Sequence, residues 1–251
     1  MSGHSKWSSI KHQKGVTDAR RGQLFTKLTR EIIVAVREGG SNPEANFRLR
    51  LAIQKARDNS MPSENIERAI KRGSGTMEGA GLVEMVLEGY GPSGAAILVQ
   101  ALTDNRNRTV QDIRNIFSRH GGNLGESGCV AWLFDSKGLI TIRTNELDTE
   151  KLALEAIDAG AEDVTFESNF VAIYTKPEEL EMVRRTLEEK SVPLTSAELS
   201  MVPKTMIELE EKPALQTLRL LDRLEELDGV QRVSSNVNFS DSVLGKYQSQ
   251  T

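Results

Sequence analysis

The 251-residue chain is 38% hydrophobic and 27% charged, with a formal net charge of −4 and a single cysteine. Its longest apolar runs, such as AAILVQAL at 95–102, fall well short of the roughly 20 residues of a membrane-spanning helix. Cys129 can form neither an internal disulfide nor, alone, a thiolate metal site, so a membrane protein, a disulfide-built fold and a zinc fold are not expected, and the cytoplasm is the expected compartment.

Residues 1–16 have no apolar periodicity and are expected to be extended or mobile. From 18 to 38, Leu24, Phe25, Leu28, Ile32, Ala35 and Val36 share one helical arc. Thr17 is the expected N-cap and Gly39-Gly40 the stop. Asn42-Pro43 suits a cap followed by proline at the first helical position, which opens a second helix through Arg57. A third is expected from Glu64 to Arg72, and Gly73, Gly75 and Gly79 then form a joint.

Beyond the joint the period changes to two. Strands are expected at 83–89 and 95–103, a helix at 107–119 capped by Asn105 or Asn107, and a strand at 129–135. Residues 138–201 scan as strand, helix, strand, strand, helix, strand, the βαββαβ order of the ferredoxin-like split unit. A strand at 205–209, a helix at 213–227 and a strand at 230–237 are too few for a core of their own.

The expected fold is therefore α+β in three domains. An N-terminal all-helical domain (1–80) precedes two α/β sandwich domains. One, 81–136 plus 204–238, is discontinuous; the other, 137–203, is ferredoxin-like and inserted into it. Residues 239–251 are expected to be a frayed tail.

The charge is uneven. Residues 1–75 hold 15 Lys and Arg against 7 Asp and Glu, and the rest of the chain holds 17 against 29. A polyanion should prefer the first third, and the acidic remainder should resist wrapping by nucleic acid. On the first helix Arg20, Lys27, Arg30 and Arg37 fall within about 100° of one another, opposite the apolar arc. About seventeen residues at about 1.5 Å each give this stripe about 26 Å. On the second helix Arg48 and Lys55 lie seven apart on one side, Arg50 and Arg57 on another, so that four cations would rim a packed bundle.

The opening segment GHSKWSSIKHQKGVTDARRGQLFTKL adds Lys6, Lys11, Lys14 and Arg21, with His12 beside them. Its Trp7 can stack on an unpaired base or pin the segment to the protein. A possible secondary anion site lies at Arg106 and Arg108, where a helix begins. His4, His12, His120 and Cys129 match no metal-ligand spacing, so no metal or cofactor is expected. No GxxxxGK[ST], GxSxG or HExxH arrangement occurs, no small-molecule substrate is evident, and an enzyme is not expected.

MSGHSKWSSIKHQKGVTDARRGQLFTKLTREI closely resembles the opening of the YebC/PmpR family, which includes mitochondrial translational activators of cytochrome oxidase. The resemblance continues through NPEANFRLRLAIQKARDNSMPSENIERAIKRG, EGYGPSGAAILVQALTDNRNRT and GGNLGESGCVAWLF, where Cys129 stands in place of a serine common in the family. It implies a cytoplasmic, non-enzymatic, three-domain DNA-binding transcriptional regulator. It also implies an alternative, a translation factor that contacts ribosomal RNA and eases stalling at proline-rich sequences. The family's N-terminal motif maps onto Lys6, Trp7, Lys11, His12, Lys14, Arg20, Arg21 and Lys27. Oligomeric state is left open by the sequence.

Overall fold

The computed structural model describes residues 18–75, 81–144, 148–167 and 170–249, with the side chains of 18–20 outside the description. Thr17, the expected first cap, lies outside it too. Helix α1 (Asp18–Gly39) runs for 22 residues and buries Leu28, Ile32, Ile33, Ala35 and Val36. Gly40 ends it at φ +84°, a left-handed conformation that costs glycine little, and donates to the Val36 carbonyl at 2.8 Å.

Helix α2 (Phe47–Asp58) begins four residues later than the Asn42-Pro43 signal predicts. Asn42 instead closes a turn by accepting from the Glu44 N–H, and Asn46 caps the helix by accepting from the Leu49 N–H at 3.0 Å. The Asn46 amide also donates to the carbonyls of Ala35 and Gly40. One buried side chain thus satisfies the end of α1 and the start of α2. Helix α3 (Ser63–Gly73) closes on α1. Leu49, Ile53, Met61, Ile66 and Ala69 complete this apolar cluster.

Next come β1 (Val83–Tyr90), β2 (Ala96–Thr103), α4 (Arg106–Arg119) and the two-residue β3 (Asn123–Leu124). Asn105 caps α4, accepting from the Arg108 N–H at 3.1 Å. The strand expected at 129–135 does not form. Residues 131–133 make a 3-10 turn, because the N–H groups of Gly128, Val130 and Ala131 are drawn onto the Glu88 carboxylate and withheld from any ladder.

The strand expected from 138 begins earlier, and β4 spans Phe134–Arg143. It is followed by α5 (Thr149–Asp158), β5 (Asp163–Phe166), β6 (Phe170–Thr175), α6 (Leu180–Glu189) and β7 (Leu194–Pro203). These strands form an antiparallel sheet in the order β5-β6-β4-β7, and their sequence with α5 and α6 keeps the βαββαβ order. Ile140, Ile142, Leu152, Val171, Ile173, Val183 and Leu187 are buried between sheet and helices.

After β8 (Ile207–Glu208) and α7 (Glu211–Glu225), β9 (Val230–Ser235) returns to the first sheet and pairs with β2, giving β3-β1-β2-β9. The strand expected at 205–209 does not join it: β8 pairs in parallel with β10 (Val237–Asn238) in a separate two-stranded sheet. The expected frayed tail is in fact helix α8 (Asp241–Ser249). Val243, Leu244 and Tyr247 share one face, bury themselves with α7, and the Tyr247 hydroxyl donates to Asp222. Three apolar residues in a polar nine-residue stretch suffice because α7 offers a receiving surface. No helix of the described residues is long and apolar enough to cross a membrane.

Candidate nucleic-acid interface

Lys6, Trp7, Lys11, His12 and Lys14 lie outside the described residues, and of Arg20 only the backbone, within α1, is described. Arg21 is exposed near the start of α1.

The stripe predicted on α1 divides. Lys27 donates its ammonium to the Glu225 carbonyl and Arg30 its guanidinium to the Asp228 carbonyl. Glu225 is the last residue of α7, where unpaired carbonyls favour a cation, and Asp228 lies in the turn three residues beyond it. Val34, in the same sector, is only 5% exposed. The middle of the stripe is therefore a seam between α1 and α7 that faces the protein. Arg37 remains exposed in the last turn of α1.

On α2 three of the four predicted cations also turn inward. Arg48 pairs with Glu38 at 2.5 Å and, in a second contact, with Glu84 of β1. Burial works against its charge, but hydrogen bonds and attraction from Glu84 and Glu38 outweigh burial and raise its pKa above the ordinary guanidinium value. Lys55 sits 3.1 Å from Glu198 of β7 and 3.8 Å from Glu31. Glu198 is shared with Arg232 of β9 at 2.6 Å.

Arg50 donates to the carbonyls of Pro43 and Glu44, lies 5.9 Å over the Phe47 ring and is 3.5 Å from Glu181 of α6. Burial would raise the Glu181 pKa, but hydrogen bonds and charge from Arg184 and Arg185 override it and hold the carboxyl below its usual range. Only Arg57 of the four is exposed with no carboxylate partner among the described residues.

The Arg48–Glu84, Lys55–Glu198 and Arg232–Glu198 pairs wall a cleft of about 530 Å³ where α2, the first sheet and β7 meet. Its cations face carboxylates from other elements, so it presents no surplus of positive charge. Replacing Glu198 by alanine leaves Lys55 and Arg232 without their shared anion in a half-buried setting. A loss of about 1–2 kcal/mol is expected, between the surface and buried cases, together with a larger radius of gyration by solution scattering as the seam loosens. An unchanged radius and melting temperature would show that the pair holds nothing.

Arg106 and Arg108 are exposed at the start of α4, away from the helical segment in sequence and attached to the first sheet. Arg108 lies 3.8 Å from Asp112. Sequence reasoning missed Arg68 and Arg72 on the outer face of α3, exposed and without a carboxylate partner among the described residues. Their i, i+4 spacing was a usable signal. The partnering of Glu84, Glu181 and Glu198 carried none, because it exists only after distant segments meet.

Residues 5–76 match the family described as the TACO1/YebC protein N-terminal domain, and residues 82–237 match the TACO1/YebC second and third domain. A probable transcriptional regulatory protein of Dehalococcoides mccartyi is 59% identical over 250 residues, covering 100% of both chains. Another so named, from Desulfosudis oleivorans, is 52% identical over 97% of this chain and 99% of its own. The crystal structure of a conserved hypothetical protein from Aquifex aeolicus superposes with a TM-score of 0.85 at 49% identity, covering 92% of this chain and 96% of that one. With both its helical segment and its sheets accounted for, the chain belongs to the TACO1/YebC family.

Proposed function

We propose that the protein is a non-enzymatic regulator of gene expression that binds nucleic acid, duplex DNA in the leading reading, through its N-terminal segment and the outward cations of its helical segment. The observation that carries this is the charge division: 15 basic against 7 acidic residues in the first 75, with Arg21, Arg57, Arg68 and Arg72 exposed and unpaired by carboxylates among the described residues. The naming of relatives as probable transcriptional regulatory proteins supports the same reading. Lys27, Arg30, Arg48, Arg50 and Lys55 are assigned instead to joining the lobes. In this view the helical segment is one domain, and the sheet built on β4 to β7 is a third domain inserted into a second.

The test is crosslinking of the cellular protein and sequencing of the attached nucleic acid, paired with affinity measured against salt. Promoter DNA is expected. Replacing Lys11, Lys14, Arg20 and Arg21 by glutamine should weaken binding by about 100-fold at moderate salt and make the log–log slope shallower by roughly 0.9 for each phosphate no longer neutralised. Recovery of ribosomal RNA alone would move the role to translation, and salt-independent binding would remove the polyanion surface altogether.

A further inference from the structure

We infer that the outer face of α4 is a second nucleic-acid contact surface, laid out for the major groove of duplex DNA. The inference rests on the proposed function only for its choice of partner, and it concerns residues outside the helical segment. On a helical wheel, Asn107, Arg108, Arg114, Asn115 and Arg119 fall within about 80° of Gln111, and all six are exposed. Ser118 lies among them. No carboxylate shares the sector. The opposite side buries Thr109, Ile113 and Phe117, so the outer face is fixed in orientation by packing against the first sheet and α7.

Two observations separate this face from an ordinary solvated one. Mixed charge is the usual pattern, as on α7 with Glu211, Lys212, Arg219, Asp222 and Arg223. Helix α4 has neither lysine nor glutamate, and its one acid is Asp112. Among the described residues Asp112 pairs only with Arg108, at 3.8 Å between side chains 81% and 46% exposed, a pairing that water and salt weaken. Arg114 and Arg119 have no carboxylate partner among the described residues.

The second observation concerns the first turn. Arg106 and Arg108 stand where unpaired N–H groups disfavour cations, and no acid within the turn offsets them. Asp104, just before the cap, is the nearest acid in the sequence. Residues placed against the local electrostatics of their helix mark a position chosen for something other than stability.

The side-chain types fit one partner. A guanidinium pairs with the O6 and N7 of guanine, and the amides of Asn and Gln pair with the N6 and N7 of adenine. Phosphates flanking the groove suit the remaining arginines. From Arg108 to Arg119 the helix measures about 17 Å, and a B-form major groove about 12 Å wide admits a helix. The deep, narrow major groove of A-form RNA does not.

The test uses the full chain and two fluorescent probes, a DNA duplex three helical turns long and an RNA hairpin of equal length. The triple variant R108Q/R114Q/R119Q should bind the DNA about 10- to 100-fold more weakly, with a salt slope shallower by at least about 0.9. The charge-adding variant Q111E/N115E should show the same loss, and circular dichroism should match the parent for both. DNA affinity and slope equal to the parent's would overturn the inference, and so would a loss seen only with RNA. If the variant lacking Lys11, Lys14, Arg20 and Arg21 binds normally while the α4 variants do not, the N-terminal reading fails and this one stands; the reverse result separates them the other way. Absence of binding by the unaltered protein overturns both.

Discussion

Replacing Glu88 by alanine is expected to cost about 3 kcal/mol of stability and to dismantle the turn at 128–133. Glu88 is 5% exposed and accepts from the backbone N–H groups of Gly128 at 2.7 Å, Val130 at 2.8 Å and Ala131 at 2.7 Å. Alanine would leave three donors without an acceptor, and each unsatisfied buried donor carries a penalty of about 1–3 kcal/mol that entering water reduces in part.

Burial pushes the carboxyl pKa up, but the three N–H groups favour the anion more strongly and bring it below the ordinary carboxylate value. Its contribution is therefore complete above the unfolded carboxylate range, near about 4.3, and is lost as pH falls through the lower folded value. Glutamine should retain part of the stability, since one oxygen can still serve Val130 and Ala131 while its amide opposes the Gly128 N–H. Thermal unfolding between pH 3 and 7 checks this: the difference between parent and E88Q should shrink toward the acid end. A difference that grows there would reverse the assigned sign.

Gly138→Ala is expected to cost about 2–3 kcal/mol, centred on the second sheet. Gly138 sits on β4 between β6 and β7, opposite Thr175 and Leu199. An added methyl would lie 2.2 Å from the Thr175 hydroxyl and 2.8 Å from the Leu180 β-carbon. Thr175 and Leu180 are both fully buried, so neither has room to yield, and α6, which starts at Leu180, would be levered off the sheet. Amide exchange should accelerate in β4, β6 and α6 while α1 to α3 keep their protection. Parent-like exchange in β4 and β6 would mean that the sheet absorbs the methyl.

Much of this molecule is written locally. The apolar arc of α1, the short apolar run of β2 and the Asn105 cap follow from spacing, because each depends on neighbours within a turn or a strand. The βαββαβ order follows from counting elements. What escaped the sequence depends on distant groups. Asn46 outcompetes Asn42-Pro43 because its amide also reaches the end of α1. Residues 129–135 look apolar enough for a strand, yet a carboxylate some 40 positions earlier claims their N–H groups. Helix α8 needs α7 as a floor.

The candidate interface was legible as charge and not as exposure. A helical wheel places Lys27, Arg30 and Arg37 together, but it cannot tell that the end of α7 and the turn after it meet the first two. Arg48 and Lys55 read as binding residues until Glu84 and Glu198 arrive from other elements. Exposed arginines on α3 and α4 were the weaker sequence signal, yet they keep their faces to solvent, as do Arg21, Arg37 and Arg57.

The return of β9 to β2 has a consequence for the order in which a nascent chain matures. Ile97 is paired in register with Ser235, so the first sheet has an incomplete edge until Ser235 has left the ribosome. At a synthesis rate of about 5–20 residues per second, the delay between Ile97 and Ser235 is about 7 to 28 seconds. Helices α1 to α3, whose contacts are short in sequence, can settle well before that. The cation-rich end is thus presented first, while the strand that completes its acidic neighbour is still being made.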